Sequence, residues 1–414
     1  MVRRIVEGAR VQASSHLTRP RRMAVAVSLL AAVALGASVA FAYGASQPSR
    51  KTSQQAASAA HASCNLAAAN KLLNKYTANP TFTAPGPAFN TKSVKGKVVY
   101  SIPIFSNSQF VTIIDNTMAS VAKTMGIKIV LEPNQGKLSE WQDAMNRAIA
   151  ARANAIFLGY APDPKELQPQ IIQAKRLGIP TISSHWYDVD DATDTPAHVK
   201  APNLAADIPT PFTLFAEMEV LWAMRASNCN AHIVFQYAVD ADPHKQAWNA
   251  ARTILKKDCP KTCSITPVGL PYDEWATKSQ SAFQAAITAD PKVNWLIPFT
   301  DLGVQYAVAA IRTTGKTGKI KVASFNATPG VLDEISKNGT VQMDIGENLQ
   351  WLGWAYMDQV MRVLAHVTPL HDEKLGARIF YPGNIASAGK PASYTKGYGP
   401  PVFVAGYKKL WGVG

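Results

Sequence analysis

From Lys97 onward the chain alternates short apolar runs with longer stretches in which apolar side chains recur every three or four positions. The first pattern has the length of a strand and the second follows one face of a helix. Strands are expected over residues 98–102, 128–131, 155–158 and 180–183, with helices over 109–125, 139–151 and 165–177 between them. Gly126 and Gly178 stand where two of these helices should stop, because glycine accepts the left-handed backbone of a helix C-cap. The rhythm then repeats, with strands over 233–237, 264–268, 295–298, 321–325 and 341–345 and helices over 245–257, 274–289, 302–314 and 331–337. Alternation of this kind builds parallel sheets. The expected fold class is α/β, with two similar domains, each a mostly parallel sheet flanked by helices. Each half can bury a core of its own, and the cleft between them is the natural ligand site.

The N-terminal segment reads differently. Arg3, Arg4, Arg10, Arg19, Arg21 and Arg22 stand against Glu7 and lead into an uncharged run over 24–42 that ends Ala40-Phe41-Ala42. A basic head, an apolar run and a small-x-small ending are the parts of an export signal, so residues 1–42 are expected to be removed by cleavage after Ala42. The run is also about long enough to span a bilayer, which keeps an uncleaved anchor as the alternative. Arg21-Arg22 is followed by Met-Ala-Val, which does not complete a twin-arginine signal. Residues 43–95 read as a tether: a Ser/Gln/Ala-rich spacer over 46–58, a short helical pattern over 66–76, then Pro80, Pro85 and Pro87. Cys64 follows His61-Ala62-Ser63, too far from the apolar run for a lipid anchor.

Charge and composition narrow the class. The 414 residues carry 42 Lys and Arg against 28 Asp and Glu, a net +14 of which the leader holds +5 and the rest of the chain +9. That remainder is scattered as single residues and pairs such as Lys256/Lys257 and Lys408/Lys409. No strip interleaves basic and aromatic side chains, which argues against nucleic acid as a partner. With 47% hydrophobic residues, 27 prolines and 25 glycines, a disordered acidic tail, a coiled coil and a collagen-like rod are excluded. Four cysteines without a C-x-x-C pair argue against a disulfide scaffold or a zinc site. Cys229, Cys259 and Cys263 flank predicted strand starts, so a bridge from Cys229 to Cys259 or Cys263 is expected in an exported chain. A Cys259–Cys263 bridge is the alternative, and spacing does not choose among the three complete pairings.

Ligands meet parallel sheets at the carboxyl ends of the strands, so the residues just after each strand carry the candidate chemistry. They include 105–110, Gly159-Tyr160-Ala161-Pro162, His185-Trp186-Tyr187, Asp240-Ala241-Asp242, Thr300-Asp301, Asn326-Ala327-Thr328 and Glu347-Asn348. Aromatic faces mixed with amides, hydroxyls and a few carboxylates suit a sugar or polyol, which offers an apolar C–H face and a rim of hydroxyls. His185 follows Ser183-Ser184, but no Gly-x-Ser-x-Gly or His-Glu-x-x-His motif accompanies it, and a hydrogen-bonding role is the simpler reading. Gly315-Lys316-Thr317 ends a helical pattern instead of opening one and has Ala310 where a phosphate loop needs glycine. Asp188, Asp190, Asp191 and Asp194 are spaced like a calcium loop but lack its turn glycine and have Val199 in place of the closing glutamate, so no metal is expected. Trp351 and Trp354, three apart on a helical pattern, read as one buried face.

Three segments resemble a known family, the type I periplasmic solute-binding proteins of ABC importers in their ribose-binding-like sugar branch. Lys97 to Ile102 followed by Asn107-Ser108-Gln109-Phe110 is similar to that family's first strand and Asn-x-x-Phe loop. Ala155 to Leu158 and Ala174 to Ile182 resemble its third strand, helix and Gly-Ile-Pro strand. Trp295 to Asp301, Lys321 to Pro329 and Gly339 to Glu347 resemble its closing strands, so that the likeness spans about 96–366. The resemblance implies ligand contacts at Asn107, Phe110, His185 and Trp186 from the first domain, and at Thr300 or Asp301, Asn326 and Glu347 from the second. Pentose binders have Asp-Arg where this chain has His185-Trp186, Asp where it has Asn326 and Gln where it has Glu347. Those departures point to another sugar, a polyol, or a small cationic or aromatic solute.

The resemblance further implies a three-strand hinge and discontinuous domains, 96–204 with 348–376 and 205–347 with 377–414. It implies an extracytoplasmic monomer that hands a small-molecule ligand to an ABC permease, without turnover or cofactor. A membrane-tethered sensory ectodomain of the same fold is the second reading if the leader stays uncleaved. An enzyme using His185 and Glu347 across the cleft is a third, and a sugar-responsive repressor is disfavoured because an apolar leader stands where a DNA-binding helix pair would be.

Overall fold

A computed structural model describes residues 64–160, 162–189 and 203–413. The expected export signal and spacer, Ala161 and the acidic stretch of Asp190, Asp191 and Asp194 lie outside the described residues.

The described chain opens with helix α1 (Leu66–Lys75). A first sheet follows from β1 (Val98–Pro103), β2 (Lys128–Leu131), β3 (Ala155–Gly159), β4 (Thr181–Asp188) and β5 (Ala206–Thr210), all parallel in the order β2-β1-β3-β4-β5. Helices α2 (Gln109–Met125), α3 (Leu138–Ala150) and α4 (Gln168–Arg176) connect its strands. The Ser108 side chain accepts the Val111 N–H at 3.2 Å to start α2, and Gly126 ends it at φ 70°. Helix α5 (Phe212–Ala226) leads into the second sheet. That sheet holds β6 (His232–Ala238), β7 (Ser264–Leu270), β8 (Trp295–Ile297), β9 (Lys321–Phe325) and β10 (Val341–Glu347), connected by α6 (Asp242–Asp258), α7 (Trp275–Ala289), α8 (Val304–Thr313) and α9 (Pro329–Asn338). After α10 (Leu349–Leu364) comes β11 (Ala377–Phe380), and after it α11 (Val402–Leu410). The order β11-β10-β9-β8-β6-β7 repeats the topology of the first sheet and adds β11 as an antiparallel edge. The expected α/β class with two similar halves is thus what the structure shows.

The partition of the chain departs from the expected boundaries in three places. Strand β5 pairs with β4, so the first sheet runs beyond residue 204 to Thr210. The tether expected over 43–95 is packed from Cys64 on: Ala69 and Leu73 are fully buried among residues of α5, and Phe82, Phe89 and Val94 join the first core. The C-terminal segment expected in the second domain sends α11 back to α10, where Trp351 stacks on Phe403 and Trp354 on Trp411, each at 5.2 Å between ring centroids. Aromatic area decides this, since Phe403, Tyr407 and Trp411 can leave water only against another apolar surface. The chain therefore crosses from one half to the other between α1 and Phe82, after Thr210, after Glu347 and before Ala377, and once more before α11.

Helix α5 has no place in the sequence expectation because it is apolar around most of its circumference. Phe215, Met218, Leu221, Trp222 and Met224 are all buried, as is usual for a helix enclosed by its neighbours, and such a helix has no amphipathic stripe to read.

The cysteines pair as Cys64–Cys229 and Cys259–Cys263. The alternative Cys259–Cys263 bridge is present, and the bridge expected from Cys229 to Cys259 or Cys263 is not. The backbone explains the correction: the Asn65 N–H donates to the Asp258 carbonyl at 2.7 Å, and α1 docks on α5, which brings Cys64 beside Cys229. This bridge closes a loop of 165 residues. Cys64→Ser is expected to lower stability by about 2–4 kcal/mol. A urea titration with an unchanged midpoint would contradict that. Among the described residues, no helix is long and apolar enough to cross a membrane.

Candidate functional site

The strand ends of the two sheets meet at His185. It lies in β4 at a bulge, where the pairing with β5 shifts register between Ser184 and Asp188 and the His185 backbone takes φ 59°. Tyr160 after β3, Phe299 after β8, and Asn326 and Ala327 after β9 also have positive φ. Side chains other than glycine rarely adopt this conformation, which costs about 1–3 kcal/mol per residue, and its concentration at strand ends is typical of functional sites.

The imidazole is enclosed by rings from both halves. Phe110 at the start of α2 lies 5.8 Å from it between centroids, Phe212 at the start of α5 5.2 Å, and Phe325 at the end of β9 6.5 Å in a stacked arrangement. Its Nδ1 is 3.0 Å from Thr210 Oγ1 and 3.3 Å from the Tyr356 hydroxyl, and its Nε2 is 3.7 Å from Oε2 of Glu347 at the end of β10. His185 and Glu347 are both buried. Burial pushes the His185 pKa down to about 3 and the Glu347 pKa up to about 8, so at neutral pH both are uncharged and the 3.7 Å approach is a contact between neutral groups. Neither carboxyl oxygen of Glu347 has a hydrogen-bond partner among the described residues.

A second layer of acids lies under the ends of β8, β9 and β10. Asp301 accepts from Ser324 Oγ at 2.6 Å and from the Thr328 N–H at 2.7 Å, while Asp344 accepts from the Ala327 N–H at 3.0 Å. These bonds tie the loops after β8 and β9 together. Burial raises Asp301 to about 6 and Asp344 well above the usual range, with Asp301 next to it adding to the rise. Burial likewise lifts Glu219, which projects from α5. Buried carboxyls this close cannot all ionise. On the first-sheet side Tyr160 donates to Asp115 at 2.8 Å, and burial holds that acid near 6.

The eight residues expected to contact ligand divide accordingly. Phe110, His185 and Glu347 converge. Thr300, Asp301 and Asn326 stand at the adjoining ends of β8 and β9, with Thr300 Oγ1 buried and unbonded among the described residues and Asp301 engaged by Ser324 and Thr328. Asn107 is exposed one turn before Phe110. Trp186 packs into a separate cluster that spans both halves, with Ile102 and Leu158 on one side and Ala238, Ala241 and Trp275 on the other, and its Nε1–H has no partner among the described residues. Beside that cluster His244 is ringed by Tyr272, Trp275 and Phe299, and burial lowers its pKa to about 3. Lys165 bridges from the first half to Asp242 at 2.7 Å.

Sequence reasoning did not single out Thr210, Phe212, Glu219, His244, Asp344 or Tyr356. Thr210 and Phe212 lie in the unassigned stretch before and within α5, and Tyr356 reads as core on its helix. Asp344 offered no signal, because it alternates with Gln342 as a solvent-facing residue of the strand would, although the structure buries it. Among the described residues no group of three or more His, Cys, Asp or Glu side chains is arranged to hold a metal ion.

Two sheets of one topology, joined by repeated crossings and meeting at their strand ends, are the architecture of type I bilobal solute-binding proteins. The periplasmic binding protein domain family matches residues 98–366, and the chain belongs to that family. No curated protein matches the chain in sequence. Among solved structures it is similar to an ABC transporter solute binding protein from Agrobacterium vitis bound with alpha-D-tagatopyranose, at 17% identity and TM-score 0.61 over 70% of this chain and 96% of that one. It is also similar to a 5-methylthioribose transporter solute binding protein from Thermotoga lettingae, at 16% identity and TM-score 0.61 over 77% and 98%. A periplasmic ribose ABC transporter protein from Conexibacter woesei matches at 15% identity and TM-score 0.59 over 73% and 95%. At these identities the likeness is one of fold.

Proposed function

We propose that this protein is an extracytoplasmic substrate-binding protein of an ABC transporter. It captures a sugar or sugar-like solute between the strand ends of its two sheets and presents it to a permease, without chemical turnover. The observation that carries this reading is the approach of His185 from the first sheet to Glu347 from the second, 3.7 Å apart inside a shell of aromatic rings from both halves. Rings to cover C–H faces and carboxyl, imidazole and hydroxyl groups to meet a polar rim suit such a solute. Family membership supports the receptor role, and the sugars named for the structural neighbours support the ligand class.

Calorimetric titration with a panel of pentoses, hexoses, their amino derivatives and polyols tests it. At least one member is expected to bind, and His185→Ala is expected to weaken that binding by about tenfold or more, the equivalent of one hydrogen-bonded contact to a polar ligand. Conversion of any panel member to a new product by the wild-type protein would overturn the non-enzymatic part of the reading. Absence of binding across the panel would overturn the ligand class.

A further inference from the structure

We propose that the solute captured at this site carries a cationic group, so that an amino sugar or aminated polyol fits it better than a neutral sugar. The inference rests on the receptor reading above and specifies its substrate class. Its anchor is Glu347, whose side chain is 1% exposed and whose two carboxyl oxygens have no hydrogen-bond partner among the described residues. His185 Nε2 lies 3.7 Å from Oε2, and no described lysine or arginine pairs with the carboxyl.

The groups that face Glu347 are His185 from β4, Tyr356 from α10 and Tyr398 from the C-terminal segment, whose hydroxyl donates to the Glu347 main-chain carbonyl at 3.0 Å. Beyond them the site is ringed by Phe110, Tyr160, Phe212 and Phe325. The other ionisable groups that share Tyr398 with it are the acids Asp301 and Asp344 and one cation, Arg378 of β11, whose guanidinium donates to the Thr77 and Gly397 carbonyls and to Ser387 Oγ. A buried carboxylate without a counter-charge is unfavourable, and removing that penalty takes a cation or a proton. Among the described residues no lysine or arginine pairs with Glu347. A ligand ammonium would pair with Glu347 while its flanks met the faces of the aromatic rings, the arrangement by which proteins hold amines. A neutral sugar would leave Glu347 protonated or unpaired.

Proton linkage separates the two. Burial keeps Glu347 protonated up to about pH 8, so pairing with an ammonium requires the carboxyl to lose its proton to solvent. Titration calorimetry of the wild-type protein in two buffers of different ionisation enthalpy, between about pH 5.5 and 7 where the amines stay charged, reads this directly. The probes are matched pairs: glucosamine with glucose, galactosamine with galactose, and glucamine with sorbitol. The aminated member of at least one pair is expected to bind more than about tenfold tighter than its neutral partner, to release close to one proton, and to gain nearly tenfold in affinity per pH unit. Glu347→Gln, checked for folding by its thermal melt, is expected to abolish that pH slope and to weaken the aminated ligand by about a hundredfold.

Tighter binding of the neutral partners, without proton release, would overturn the cationic class and leave the receptor reading intact. An unchanged slope in Glu347→Gln would overturn it too. Failure of every probe to bind would overturn the cationic class, and the sugar-like ligand class falls with it where the pentoses and polyols of the wider panel fail as well.

Discussion

Replacing Arg362 by Ala is expected to destabilise the fold by about 3–5 kcal/mol, because it leaves a buried carboxylate without its charge partner. Arg362 and Asp358 lie one turn apart on α10, both fully buried, with Nε and Oδ2 2.6 Å from each other. The rest of the environment depends on that pair. The Trp411 indole donates to Asp358 Oδ1 at 2.6 Å, the Arg362 guanidinium donates to the Pro87 carbonyl at 3.0 Å, and it lies 4.4 Å over the Phe89 ring. Tyr407 of α11 donates to the nearby Glu373 at 2.9 Å. The pair thus ties α10 to the segment around Phe89 through the arginine and to Trp411, just after α11, through the aspartate. Glu373 and Asp358 face each other, and burial together with that proximity raises Glu373 well above the ordinary range. Without Arg362, which holds the Asp358 pKa down against burial, Asp358 too would have to take up a proton. Asp358→Leu combined with Arg362→Leu is expected to recover much of the loss, since an apolar pair leaves no charge buried. Urea unfolding midpoints of the single and double variants provide the check. A loss under about 1 kcal/mol for Arg362→Ala would show that the pair is already matched by solvent in the folded protein.

Glu347→Gln is expected to stabilise the ligand-free protein above neutral pH and to have little effect in acid. The direction follows from proton counting. Below the ordinary glutamate value of 4.5 the carboxyl is protonated in both the folded and unfolded chains, so it adds no pH dependence. Between 4.5 and about 8 the unfolded chain gives up the proton and the folded one keeps it, so stability falls as pH rises. Beyond about 8 the full difference is reached, roughly 5 kcal/mol at 1.36 kcal/mol per pH unit. Glutamine keeps the shape and does not titrate. His185 acts on the other limb: burial lowers it from 6.5 to about 3, so the unfolded chain binds a proton there that the folded chain refuses, and stability falls as pH drops through that window. Asp115, Asp301 and Asp344 are raised as well and keep part of the alkaline slope, so the readout is the difference between variant and wild type. Denaturation at about pH 5, 7 and 9 should show the two curves diverging upward in pH. Parallel curves would mean that Glu347 ionises freely in the folded state.

Most of the repeating framework was legible along the chain. Helix α2 begins and ends as expected, at Gln109 and Met125, because a serine cap and a left-handed glycine mark its ends. The expected strand at 180–183 continues to Asp188, since the bulge at His185 lets the backbone resume pairing at a register no alternation rule describes. Helix α5 was illegible because enclosure by its neighbours removes most of the polar positions that periodicity needs. Strand β5, Ala-Asp-Ile-Pro-Thr, was illegible because five residues with a proline and a buried aspartate read as a loop. At the candidate site the strand-end rule pointed to Phe110, His185 and Glu347, which the structure brings together. It also pointed to Asn107 and Trp186, one of which is exposed and the other packed into a different cluster.

The sequence by itself determined the α/β class, the repeated halves and which loops carry polar and aromatic side chains, because spacing and turn chemistry act over a few neighbouring residues. Only the tertiary structure decided which of those loops meet, that Cys64 finds Cys229, and that α11 returns to α10. It also decided the charge states of His185 and Glu347. Burial and the approach of groups 162 positions apart set those, and neither exists until the chain has folded.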